Sequence, residues 1–318
     1  MPIGQFFVFF LLLLTGFFCS KYNVLTDAAV SSINKFILTI AMPCLILSRT
    51  TALDMDNRIF ANFLLVFIIY VGTMMLYAAY ARFYCRGKRF SKEDRPVLEL
   101  AMISPNNGFI GFPVAITFFG NLGLLYMVGT NIAMNTVSFT YGIAILKRDR
   151  DQEGEPARQK LLAVARFFAD PKICAAIAGI ILCYNHVVLP EIAEDFLGIV
   201  GDTASPIAMI SIGTMLAGTF GPQAFKSRSI MEPVLNKLFV IPAATAAIVW
   251  FLPLDPLVKT ILIVANALPV AAVVAIQAEQ FGRNKDIASA AIVISTIFSM
   301  ATIPLIIGLL HQTSLIIL

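Results

Sequence analysis

The stretch Ile103-Ser-Pro-Asn-Asn-Gly-Phe-Ile-Gly-Phe-Pro-Val114 lies inside an apolar segment long enough to cross a membrane, and it restricts the folds open to the chain more than any other feature. Pro105 and Pro113 each remove a backbone donor and collide with the preceding turn, and Gly108 and Gly111 weaken the helix further, so a helix running through here is predicted to be interrupted. An interrupted helix leaves N–H and C=O groups without partners. Such backbone is tolerated at membrane depth only where it is buried in protein or lines a watery cavity, which makes this stretch the first candidate for a binding site.

Composition places the stretch in a membrane. Of 318 residues, 58% are hydrophobic and 13% charged, too apolar a balance for a soluble domain. At about 20 residues per span the length holds roughly ten helices and little else. The expected class is therefore an all-α integral membrane protein. The net charge of +4 fits membrane topology better than nucleic-acid binding once its distribution is considered. The five cysteines are odd in number and scattered, with neither a disulfide framework nor metal-ligand spacing. His186 and His311 have no second ligand near them in sequence. No catalytic constellation, metal site or cofactor is expected.

Apolar segments are predicted at 3–19, 28–48, 59–82, 96–119 and 124–146, then at 171–189, 197–220, 235–252, 257–281 and 287–310. The first lacks a basic leader and a small-residue cleavage site, so it reads as a retained helix. Residues 1–146 form a first five-helix repeat, 147–170 a charged cytoplasmic linker, and 171–318 a second repeat. Ala41-Met-Pro43 in the second segment lines up with Ala204-Ser-Pro206 in the seventh, and Pro113-Val-Ala115 in the fourth with Pro269-Val-Ala271 in the ninth. An odd number of spans per repeat places the two halves in opposite orientations. Lysine and arginine collect in cytoplasmic loops. With both termini outside, those loops hold 19 of the 23 basic residues, Lys237 counted among them. The chain is expected to cross the membrane many times.

Three motifs, Ile33-Asn-Lys-Phe36 leading to Ala41-Met-Pro43, Ser104-Pro-Asn-Asn-Gly-Phe-Ile-Gly-Phe-Pro113, and Ala267-Leu-Pro269 leading to Gln280-Phe-Gly282, resemble those of the auxin efflux carrier family. Its bacterial members include carriers for malonate, malate and similar organic acids. The resemblance implies ten transmembrane helices as two inverted five-helix repeats, with broken helices 4 and 9 crossing near the membrane centre, and a support domain against which a transport domain moves. It implies a secondary transporter that moves a small organic anion by alternating access, located in the plasma membrane, a bacterial inner membrane. Val274 stands where plant auxin carriers have a further proline, so the second crossover rests on Pro269. The third helix, Ile59-Phe-Ala-Asn-Phe-Leu-Leu-Val66, lacks the acidic and basic residues of the plant proteins, which points away from auxin itself.

The candidate substrate-binding residues are Asn106, Asn107, Gly108, Pro113, Pro269, Val270, Gln277 and Pro43. The two asparagine amides and the free N–H groups of the downstream half-helix suit a carboxylate. Their plainer role is to cap the broken helix ends. Lys35 reads as the only basic residue well within a span, able either to neutralise an anion or to snorkel to the interface. Asp202 is the candidate coupling site for H+ or Na+, or else an ion-pair partner for a neighbouring helix. Glu279 is expected at the interface beside Arg283. The expected partners are a small organic anion and the lipid bilayer, with no nucleic acid; a homodimer is left open. The alternative function is an anion-conducting channel or passive facilitator.

Overall fold

The computed structural model describes residues 3–87, 89–148, 169–218 and 227–312. Every regular element among them is a helix, and the one β-type contact is an isolated antiparallel bridge between Pro105 and Val270. The elements are α1 (Ile3–Lys21), α2 (Asp27–Thr51), α3 (Asn57–Cys85), α4 (Arg95–Ile103), α5 (Asn107–Lys147), α6 (Pro171–Tyr184), α7 (Glu191–Ala217), α8 (Arg228–Trp250), α9 (Pro256–Ala267), α10 (Val273–Gln280) and α11 (Lys285–Gln312). Six of them, α2, α3, α5, α7, α8 and α11, are long and apolar enough to cross a membrane. Most of the predicted linker, 149–168, lies outside the described residues.

Local sequence sets the helix starts. Asp56 accepts from Ile59 N, Asp170 from Lys172 N and Asp255 from Leu257 N, and in the last two cases a proline at the first helical position supplies the required φ. α5 has 41 residues, about 60 Å if straight and twice the hydrocarbon thickness of a bilayer. It is not straight. Gly120 adopts φ 65° and ψ −162°, a conformation that favours glycine, and the two arms touch. Asn107 Nδ2 lies 3.1 Å from Thr130 Oγ1, so the chain doubles back at Gly120, where the fourth and fifth predicted segments part.

Among the described residues four wide π-type turns interrupt the helices, at 37–41, 107–111, 138–142 and 236–240. Three stand directly before an X-Pro pair, at Pro43, Pro113 and Pro242. Proline cannot donate to the fourth residue back and its ring crowds that carbonyl, so the helix widens by one residue. The turn at 138–142 precedes no proline. There the carbonyl of Ser138 is taken up by a side chain of α10.

The helices form two groups that interleave the predicted repeats. In one, α1 lies along α7 and α2 packs against α6 and α7. These contacts are so close that only glycine fits. A Cβ on Gly16 would stand 1.9 Å from the Ile210 carbonyl oxygen, one on Gly213 2.1 Å from that of Leu13, and one on Gly201 2.8 Å from the backbone of Leu45. In the other group α3, α4 and α5 pack with α8, α9, α10 and α11.

Two boundaries differ from expectation. α7 begins at Glu191, because Pro190 starts a helix whose first turn carries Glu191 and Glu194, favourable at that end. α8 begins at Arg228 and runs through Pro233, so Lys237 lies inside a spanning helix and not in a cytoplasmic loop.

Candidate functional site: two helix breaks joined back to back

Ser104-Pro105-Asn106 separates α4 from α5, and residues 268–272 separate α9 from α10. The two breaks meet, and their backbones bond to each other. Asn106 N donates to Pro269 O at 2.8 Å and Ala271 N donates to Ser104 O at 2.8 Å. Val270 N donates to Ser295 Oγ of α11 at 2.9 Å. Groups that an interrupted helix would leave unmatched are thus paired across the crossover. Leu268 presses against Gly111, where a Cβ would stand 2.9 Å from Leu268 Cδ1.

Across the crossover it is Pro105, bridged to Val270, that stands opposite the second break, and not Pro113. Pro113 is buried in the first regular turn after the wide turn, beyond the interruption. Gly108 likewise lies inside the resumed helix. A Cβ there would meet Asn131 at 3.7 Å, an ordinary contact, so space does not require glycine.

Asn106 Oδ1 accepts from Phe109 N and caps α5, while its Nδ2 has no protein partner among the described residues. Asn107 is fully buried. Its Nδ2 donates to Tyr70 Oη at 3.2 Å and to Thr130 Oγ1 at 3.1 Å, and its Oδ1 has no partner. Gln277 is 2% exposed, donates from Nε2 to Ser138 O at 3.4 Å, and leaves Oε1 unpartnered. Ser104 Oγ and Ser138 Oγ lie 3.2 Å apart. Buried amide oxygens without donors are uncommon in folded proteins, and here two belong to residues within or packed against the crossover elements.

The remaining predicted residues lie elsewhere. Pro43 is half-buried on α2, in the other helix group. Lys35 is exposed on α2 and forms no ion pair among the described residues. Asp202 is ion-paired with Arg49, and its side chain is 62% exposed. Glu279 pairs with Lys285, while Arg283 donates to Leu146 O and Arg148 O.

Two buried charged side chains are not among the sequence candidates. Lys237, 1% exposed, donates from Nζ to Asn266 O at 2.7 Å. Glu99, 2% exposed, accepts both Arg148 Nη1 at 3.0 Å and Nη2 at 2.9 Å. Each has a sequence signal, being a charged residue within a few positions of an apolar run, but each also stands a few residues after a proline that reads as a helix start near the interface.

A cleft of about 580 Å³ opens between the helix groups, lined by α1, α5, α7 and α11. Ile110 and Val114, just downstream of the first break, form part of its wall, and Thr296 and Ser299 supply its polar groups.

A family model described as "Membrane transport protein" matches residues 3–307. A protein of Methanothermobacter thermautotrophicus described as an "Uncharacterized transporter" is 27% identical over 92% of this chain and 93% of its own length. "Uncharacterized transporter YfdV" of Escherichia coli K12 is 23% identical, covering 95% of this chain and 96% of itself. A Rhizobium meliloti protein described as a "Putative malonate transporter" is 23% identical, covering 95% of this chain and 93% of itself.

Proposed function

Because the chain belongs to the membrane transport protein family, that of the auxin efflux carriers, we propose that it is a secondary carrier for a small organic anion, such as a mono- or dicarboxylate, working by alternating access. In this reading the chain crosses the membrane ten times as two inverted repeats. The group containing α1, α2, α6 and α7 is the support, and the group carrying the crossover moves against it. The observation that carries the proposal is the back-to-back joining of two interrupted helices beside buried amides whose polar atoms are incompletely matched.

The substrate carboxylate is held by Asn106, Asn107 and the N–H of Gly108, because the N–H groups of Asn107, Phe109, Ile110 and Gly111 already donate to Pro105 O, Asn106 Oδ1 and Asn106 O. Asn106 Nδ2 is unpartnered among the described residues. The Asn107 amide has two orientations of equal shape. In the second, Oδ1 accepts from the Tyr70 hydroxyl and Nδ2 turns toward the position now faced by the unpartnered oxygen, offering an N–H to an anion. Amide dipoles and a helix N-terminus attract a carboxylate at a lower desolvation cost than a permanently charged side chain, which suits release on the far side. The similarity to the Rhizobium protein makes malonate the first acid to test.

Asn107→Leu removes the amide at nearly constant volume. With each hydrogen bond to a charged group worth about 1.5–3 kcal/mol, affinity for malonate or a related acid is expected to fall at least about tenfold. Asn106→Leu is expected to act in the same direction. Calorimetric titration of the purified, monodisperse variants measures this directly. Unchanged binding in both variants would place the site elsewhere.

A further inference from the structure

Lys237 is buried on the wide turn of α8. Its ammonium makes one hydrogen bond among the described residues, to the carbonyl of Asn266 in the last turn of α9, three residues before Pro269. When Nζ is an ammonium, two of its three donors therefore have no partner among the described residues. Among the described residues no carboxylate pairs with it. The wide turn packs against α4, α9 and α11. On α4, Glu99 is held bidentately by Arg148, and Arg95 donates to Phe90 O and Gly87 O. On α9 and α11, Lys259, Lys285, Asp286 and His311 occupy the terminal turns. From α3, the Tyr80 hydroxyl donates to Asn236, and the Tyr77 hydroxyl bonds Thr245. On α8 itself, Glu232 is engaged by Arg89 and Arg228.

The joined breaks thus have a titratable nitrogen at their edge with a neutral acceptor and no counter-charge. The Asn266 carbonyl can hold that nitrogen as an ammonium or as an amine, since both donate to it. A carboxylate arriving at the crossover supplies the negative charge that the protein omits. We propose that Lys237 is the proton-coupling residue of the carrier, protonated from solvent as the anion binds and deprotonated as it leaves, so that one proton accompanies each anion. This rests on the carrier reading above. Linkage makes the effect reciprocal: the bound anion favours the proton on Nζ, and the proton favours the anion.

Proteoliposomes loaded and challenged with labelled malonate, with the membrane potential clamped at zero, test the inference through Lys237→Met and Lys237→Arg. The parent should accumulate malonate about tenfold for a pH difference of about one unit, alkaline inside. Both variants should lose that accumulation, and Lys237→Arg, which keeps the cation but cannot release its proton, should retain malonate counterflow. A residue that merely braces the fold would reduce counterflow and accumulation together. Accumulation by either variant at the parent level overturns the assignment, as does a parent that exchanges malonate but ignores the pH gradient, or a folded Lys237→Arg variant without counterflow. A parent inactive in both modes toward malonate, succinate and acetate would instead count against the carrier reading itself.

Discussion

Arg148→Ala should destabilise the protein by about 3–5 kcal/mol, because it leaves the Glu99 carboxylate buried without its partner. Glu99 is 2% exposed and both its oxygens are taken by one guanidinium, while the Arg148 side chain is itself 26% exposed. The loss therefore comes from the orphaned carboxylate more than from the surface of the arginine. Replacing both partners by apolar residues, Glu99→Leu with Arg148→Met, should restore most of the stability, since an apolar pair of similar volume removes the desolvation cost along with the attraction. Thermal unfolding in detergent compares the variants. A double variant no more stable than Arg148→Ala would show that the pair contributes more than charge compensation.

Gly16→Ala should separate α1 from α7. The added methyl would stand 1.9 Å from a backbone oxygen, which a rotamer change cannot relieve. Overpacking of this kind costs typically about 1–3 kcal/mol or more, a fall of roughly 5–10 °C in the unfolding midpoint at the upper end. Gly213→Ala strikes the same seam from the other side, 2.1 Å from the Leu13 carbonyl oxygen. Once the helices have moved apart for one methyl, room exists for the other, so the double variant should lose much less than the sum of the singles. Additive losses in the unfolding midpoint would mean that the two glycines relieve separate contacts.

The apolar segments and the interruption near Pro105 were legible because proline and paired asparagines in an apolar span have few physical readings. The fourth predicted segment ends at 119, one residue before the turn at Gly120. What the sequence hid was set by partners distant in the chain. Pro105 and Pro113 both look like breakers, and only the bonds from Asn106 to Pro269 and from Ala271 to Ser104 show which one opens the helix. Proline at 113 is instead absorbed by a widened turn. Lys237 follows Pro233, which reads as a helix start near the interface; the helix begins five residues earlier, at Arg228, and carries the lysine into the interior. Asp202 pairs with Arg49, 153 residues away, a partner that its own neighbourhood in sequence does not reveal.

The central claim is that the joined breaks hold an anion in a carrier and do not line an open pore. Counterflow of labelled malonate in proteoliposomes containing the parent protein addresses it most directly. A carrier predicts uptake of external label that saturates with substrate and is accelerated by unlabelled malonate inside, with both properties lost or weakened at least about tenfold in Asn107→Leu. Flux that rises linearly with concentration, gains nothing from internal substrate and persists in Asn107→Leu would contradict the account and favour a channel.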